Sequence, residues 1–255
     1  MSTTVGDLKT LAKYHSDMVN SDFISDAEWL AYIQLGYNHL YDTLVQKYGD
    51  DYFTIAYQFT TDGATDYYPL PDGSSTYKLP DGITTAPAFY KLLGVDVQVI
   101  GGTSVTPVWV TVRPFTFVDR NRYVIPNYQV TLGANNMRYR LRANNIWLTP
   151  RQQAGQLVQL HYVPRCVTLT SDSDVIDGVS GWEELIAVEA AIRAKQKEES
   201  DTSVLERMKA EIIERIEEAA ENRDVGAPPT TGDTLFRSYL GAYGGIGPGL
   251  GGPGW

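Results

Sequence analysis

The sequence predicts an α+β protein in which helix pairs from the two ends of the chain form one bundle. An antiparallel β barrel- or sandwich-like domain is inserted into that bundle, and a Gly-rich C-terminal tail follows it. Three observations carry this reading. Apolar residues recur every three or four positions in the first and last thirds, they alternate with polar ones through the middle, and glycine and proline dominate the end. The expected divisions are 1–52 for the first helix pair, 53–170 for the β domain, 171–224 for the second helix pair and 225–255 for the tail.

The elements follow in order. Thr4 with Asp7 reads as a capping box, and Leu8, Leu11, His15 and Met18 continue at helical spacing. After the break at Asn20-Ser21-Asp22, Ser25 with Glu28 makes a second capping box. Ile24 and Trp29 are placed to staple it. Trp29, Ile33, Gly36, Leu40, Leu44 and Tyr48 keep the period, and Gly49 is suited to end the helix. From residue 53 onward, Ile55-Tyr57-Phe59, Val95–Val99, Val108–Val112, Tyr128–Leu132, Met137–Arg142 and Gln156–Leu160 alternate as half-buried strands do. Asp-Gly pairs at 62–63, 72–73 and 81–82 mark turns.

Ser180 with Glu183 reads as a third capping box, opening a helix through Leu185, Val188 and Ile192. A break at Ser200-Asp201-Thr202 precedes a long helix with the narrow seam Leu205, Met208, Ile212, Ile216 and Ala219. Arg207/Glu211 and Glu211/Arg215 are spaced to pair along it. Helix pairs of this length are too small to stand separately, so they are expected to pack together. The last fifteen residues hold 8 Gly and 2 Pro, a composition that supports no packed core of its own.

Charge is divided along the chain, whose net is −10. Residues 53–170 carry 10 Lys/Arg against 6 acidic residues, all of them Asp, whereas residues 171–255 carry 8 against 17. Such asymmetry predicts two kinds of surface, and an acidic chain is a poor general binder of nucleic acid, whose affinity for proteins rests on cationic contacts to phosphate. No run of 18 apolar residues is present to span a bilayer, and Met1 to Lys13 does not have the pattern of a signal peptide. A lone cysteine, Cys166, rules out an internal disulfide and suits a reducing cytoplasm.

No catalytic, cofactor or metal site can be assembled from spacing. His15, His39 and His161 lie in different elements, and Cys166 has no basic neighbour motif to activate it. Asp172, Asp174 and Asp177-Gly178 with Glu183 invite a calcium-loop reading. Ile176 takes the fifth position, however, and the glycine comes one place late, so a polar turn is favoured. The glycines of 244–249 lack the strand and helix that a phosphate-cradling loop needs. Arg138, Arg140 and Arg142 on one strand face are the stronger signal. They read either as a basic strip for an acidic partner or nucleic acid backbone, or as charges that keep a strand from aggregating. In the tail, Leu235, Phe236, Tyr239, Leu240, Tyr243 and Trp255 follow a Pro228-Pro229 hinge and could fold onto a partner. The 17 tyrosines leave open a carbohydrate-binding β module.

The order of parts resembles the head-to-tail adaptor proteins of tailed bacteriophages. The likeness lies in Val5-Gly6-Asp7-Leu8, Ser25–Leu30 and Gly36-Tyr37-Asn38 at the N-terminal end. Further on it lies in Leu160–Pro164, Leu169–Asp174, Glu189-Ala190-Ala191, Lys197–Asp201 and Asn222-Arg223-Asp224. The resemblance implies a structural protein of the virion neck, assembled in the host cytoplasm as a twelvefold homo-oligomeric ring beneath the portal protein ring. It extends the channel through which genomic DNA passes without specific binding. It also docks the tail, nozzle or next neck component, and its C-terminal segment reaches into the portal. No membrane and no cofactor is implied. The alternatives are a head-closure or tail-terminator ring, or a β-rich tail or baseplate carbohydrate-binding protein.

Overall fold

The computed structural model describes residues 3–49, 52–98, 108–120, 137–176 and 181–221. Strand β1 (Thr3–Thr4) leads into helices α1 (Val5–Ser16) and α2 (Asp26–Lys47). Eight strands follow: β2 (Ile55–Thr60), β3 (Tyr67–Pro69), β4 (Phe89–Gln98), β5 (Trp109–Thr111), β6 (Arg113–Pro114), β7 (Arg138–Arg142), β8 (Asn145–Thr149) and β9 (Leu157–Pro164). A short β10 (Val175–Ile176) precedes helices α3 (Glu183–Lys197) and α4 (Ser203–Glu221). The protein is thus α+β, as expected.

Both N-terminal capping boxes form. Thr4 and Asp7 exchange side-chain and backbone hydrogen bonds at the start of α1, and Ser25 and Glu28 do so at α2, satisfying amides that the helix leaves open. Ile24 and Trp29, the staple positions, are both buried. Helix α1 turns a different stripe inward from the one read in the sequence. Val5, Leu8 and Ala12 are buried while Leu11 is exposed. The third cap also differs. Helix α3 begins at Glu183 behind Trp182, which makes no side-chain cap; Glu183 instead accepts from the Gly181 amide, and Ser180 lies outside the described residues. On α4, Arg207 reaches Glu211 at 4.0 Å, but the second expected pair does not form, because Arg215 sits over the Trp182 ring.

All four helices contribute to one core. Val5 and Leu8, Trp29, Ile33 and Leu40, Leu185 and Ile186, and Ile212 and Ile216 meet in it. Helices α2 and α3 run closest at Gly36, where an added Cβ would stand 2.8 Å from the Ile186 carbonyl oxygen. The N-terminus is clasped to the segment entering α3. Strand β1 pairs antiparallel with β10, the Val5 and Gly6 amides donate to the Asp174 and Asp172 carbonyls, and the buried Lys9 ammonium pairs with Asp172. Inside the bundle Glu189 is a buried hub. Lys209 of α4 lies 2.6 Å and His39 of α2 2.8 Å from its carboxylate, and Arg193 lies one turn further along α3 at 3.7 Å. A buried carboxylate is tolerable because cations surround it.

The β domain consists of two four-stranded sheets, ordered β2-β9-β4-β5 and β3-β8-β7-β6. Their inner faces share a core of Tyr57, Val95, Val158, Leu160 and Tyr162 from the first sheet and Tyr68, Ile146 and Leu148 from the second. This is the sandwich alternative. The described strands close no barrel, and the pairing is not wholly antiparallel, since β6 runs parallel to β7. The three Asp-Gly turns form as expected, with Asp62, Asp72 and Asp81 each accepting amides two or three residues on. Gly63 holds φ +73° with the Ala154 amide nitrogen 2.8 Å from where a Cβ would stand, so a side chain is excluded there twice over. The strand expected at 128–132 lies outside the described residues.

Sandwich and bundle meet along α2. Tyr41 and Val45 pack on Val163 at the end of β9, Tyr41 donates to the Pro164 carbonyl at 2.6 Å and stacks on Phe53 at 4.5 Å. Gln34 accepts from the Leu169 amide and donates to the Val167 carbonyl. The β domain therefore leaves and rejoins the bundle on the same helix.

Two outcomes follow from this packing. Gly36→Ala should lower stability by about 1–3 kcal/mol, because the atom it meets is backbone and cannot swing away. That exceeds the ~1 kcal/mol that alanine gains over glycine in a helix, and thermal unfolding checks it. Glu28 at the start of α2 pairs with Lys197 at the end of α3 (2.6 Å). That hydrogen bond first, and the Ser25 amide second, pull its carboxyl down to about 2. A depressed carboxyl contributes stability that is fully present above its ordinary value of 4.5 and is lost as the pH falls towards 2. Glu28→Gln should therefore flatten the acid limb of the melting-temperature profile between those pH values and leave the neutral region parallel to the parent.

Candidate partner-binding surface

The alternation of Met137–Arg142 places the three arginines of β7 on the outer face of the second sheet, and the register shows what lies beside them. Arg138, Arg140 and Arg142 stand opposite Thr149, Trp147 and Asn145 of β8, and Trp147 in turn stands opposite Tyr67 of β3. Directly opposed residues share a face. One row across the sheet is thus Tyr67, Trp147, Arg140. The Tyr67 and Trp147 rings stack at 5.4 Å, and buried Phe115 sets its edge on Trp147 at 5.0 Å.

The guanidinium groups are held by these rings. Arg142 lies 5.8 Å from the Tyr67 centroid and donates to its hydroxyl at 3.1 Å. Arg140 lies 5.4 Å from the Phe117 centroid, and Arg120 lies 4.5 Å from the same ring. Arg138 donates to the Met137 carbonyl. Cation–π contact of this kind positions a charge without neutralising it. The opposite face of β7 is apolar, as its sequence suggests, but not uniformly buried: Tyr139 packs on the sandwich core, and Leu141 is exposed at the end of the strand. Beyond Tyr139, where β6 stops, β7 has no partner on that side among the described residues.

The other residues singled out in the sequence fall into structural settings. His39 sits at the Glu189 hub, His161 contacts Asp96 on the neighbouring strand β4 and Gln159 on its own strand, and His15 lies on α1. The structure does not bring the three together. Among the described residues no group of three His, Cys, Asp or Glu is arranged to hold a metal. Cys166 lines a cleft of about 310 Å³ between α2 and the strand ends, together with Gln34, Asn38, Asp42, Tyr90 and Arg165. Burial pushes its thiol up to about 12, the opposite of what a nucleophile requires. In the candidate calcium loop, Asp172 is taken by Lys9, and Asp174 accepts from the Thr170 and Ser171 amides, which holds its carboxyl below the ordinary range. These are the bonds of a polar turn. The 244–249 glycines and the tail residues Leu235, Phe236, Tyr239, Leu240, Tyr243 and Trp255 lie outside the described residues.

Sequence reasoning found the arginine strip but missed Tyr67, Trp147 and Phe117, which come from distant parts of the chain and give it shape. No local pattern announces them.

With the bundle, the inserted sandwich and this face in view, comparison with known proteins adds a family. The sequence matches the family described as SU10 adaptor protein over residues 3–232, nearly the whole chain. The chain belongs to the SU10 adaptor protein family. The match agrees with the resemblance to phage head-to-tail adaptors carried by the motifs of the two ends, and it spans both helix pairs and the β domain. It stops short of Leu235, so the apolar tail residues stand beyond it. No curated protein matches the sequence. The family is one of structural adaptors and not of enzymes. No described helix is long and apolar enough to cross a membrane.

The two faces of the β7–β8 pair should respond differently to substitution. Arg140→Ser with Arg142→Ser should cost less than about 1 kcal/mol, since charges on a solvent-facing sheet surface contribute little to folding. Ile146→Ala, which empties a fully buried position on the inner face, should cost about 2–5 kcal/mol. Denaturant unfolding of the two variants against the parent makes the comparison.

Proposed function

We propose that this protein is the head-to-tail adaptor of a tailed phage, assembling as a ring, twelvefold as the family resemblance implies, beneath the portal protein. The ring extends the DNA channel and presents the surface on which the tail or next neck component docks. The observation that carries the reading is the adaptor-family match running unbroken through a four-helix bundle and its inserted sandwich. In this reading the divisions at 52, 170 and 224 separate working parts. The bundle builds the ring wall, the β domain reaches outward, and residues 225–255 engage the portal.

Physical properties of the chain support these roles. The segments that build the bundle are both net acidic, residues 1–52 with 3 Lys/Arg against 8 acidic residues and residues 171–255 with 8 against 17, and a net-acidic wall lets DNA pass without gripping it, because like charges repel. Leu235, Phe236, Tyr239, Leu240, Tyr243 and Trp255 supply apolar anchors, each able to contribute roughly 1.5–3 kcal/mol when buried against a partner. A neck component of the virion, assembled in the host cytoplasm, has no need of a cofactor or a membrane span. The carbohydrate-binding alternative draws less support, because Tyr67 and Trp147 already stack on each other and Arg142 occupies the Tyr67 ring.

The purified chain is expected to be monomeric or weakly self-associating, and to close into a ring on its portal. Deleting residues 225–255 should leave the melting temperature of the folded part unchanged and abolish co-sedimentation with portal rings. Undiminished docking by the truncated chain would place the portal contact in the bundle. No docking by the full chain would remove the adaptor reading altogether.

A further inference from the structure

We infer that the arginine face of the second sheet is the socket for the carboxylate face of α4 in a second copy of this chain, so that copies join side by side through two different patches. The inference rests on the adaptor reading and deepens it by naming the contact between subunits.

Arg140 and Arg142 are engaged by rings and a phenol hydroxyl, and neither meets a carboxylate among the described residues. Their charge is therefore uncompensated while their positions are fixed, so little freedom is lost when an acidic surface arrives. The complementary surface is on the same molecule. Glu211, Glu214, Glu218 and Glu221 are exposed and spaced three, four and three residues apart, which aligns them as one stripe along α4. Glu214 and Glu221 pair with no cation among the described residues; Glu211 has only Arg207 at 4.0 Å.

The two patches agree in length. Ten residues of helix advance about 15 Å from Glu211 to Glu221, and four residues of strand advance about 13 Å from Arg138 to Arg142. They agree in charge as well, since the β region carries 10 Lys/Arg against 6 acidic residues and the C-terminal region 8 against 17. A nucleic acid would be the other polyanion to consider. The chain's net charge of −10 opposes it, and the stacked Tyr67–Trp147 pair offers bases no free platform. A contact between two different patches leaves one of each unfilled at the ends of any open chain of copies. It is satisfied throughout only when the copies close into a ring.

The test is a charge swap in the full chain. One variant carries Arg140→Glu and Arg142→Glu, the other Glu214→Lys and Glu221→Lys, and self-association is followed by sedimentation equilibrium at low ionic strength. The parent should associate weakly and lose the association as salt is raised. Each variant alone should associate at least tenfold more weakly. An equimolar mixture should recover association, because the acidic face of the first variant then meets the basic helix of the second, while their unaltered patches pair as in the parent. Recovery in the mixture also shows that both variants are folded. The inference is overturned if the parent stays monomeric at every concentration and salt, if either variant associates as the parent does, or if the mixture stays apart. It is likewise overturned if Arg140 and Arg142 prove to bind DNA oligonucleotides while leaving self-association unchanged. Docking of the parent to portal rings, measured separately, decides the adaptor reading and is independent of these outcomes.

Discussion

The close approach of α2 and α3 at Gly36 is the constraint on which the rest of the molecule depends. With no side chain at that position, the Ile186 carbonyl comes within 2.8 Å of where a Cβ would stand, and helices from opposite ends of the chain share a core. Trp29 and Ile33 before the glycine and Leu40 and Leu44 after it can then all be buried on one face of α2. The clasp of β1 on β10 and the Lys9–Asp172 pair extend the same closure to the beginning of the chain.

Because the bundle closes on itself, the intervening segment must depart and return nearly together. Helix α2 meets that requirement through Tyr41, Val45 and Gln34, which hold the end of β9 and the segment beyond it at Val167 and Leu169. Strand β9 lies between β2 and β4 and pairs with both, so anchoring β9 anchors the first sheet. The second sheet packs on the first through the sandwich core, and its outer face, with Arg140, Arg142, Tyr67 and Trp147, is turned away from the first sheet.

What the sequence disclosed divides along physical lines. Capping boxes at Thr4–Asp7 and Ser25–Glu28 were legible because each is a bond between residues three apart, written in adjacent letters. Strands β2 and β7 were legible because half-burial imposes a period of two. Strand β8 was not, because Ile146, Trp147 and Leu148 are apolar in succession: two fill the core, while the third supports the arginines from outside. The two-residue strands β1, β6 and β10 are too short to have a period, and the parallel course of β6 is decided by tertiary placement alone. The inward stripe of α1 was misjudged because Leu11 matches the spacing as well as Ala12 does; the clasp with residues 172–176, not hydrophobicity, decides the helix's rotation. The arginine strip was visible in outline, but its aromatic frame comes from residues near 67, 117 and 147, which only folding brings together.

The clasp between the two ends also has a consequence for biosynthesis. When Gly36 is added to the growing chain, Ile186 is still 150 residues from being translated. At elongation rates of ~5–20 residues per second, that interval is roughly eight to thirty seconds. During it, the first two helices have no permanent partner for Trp29, Ile33 and Leu40. The same delay holds β2 in wait for β9. The nascent protein thus carries an unfinished apolar face until α3 has emerged, and its native bundle becomes available late, after the whole β domain has been made.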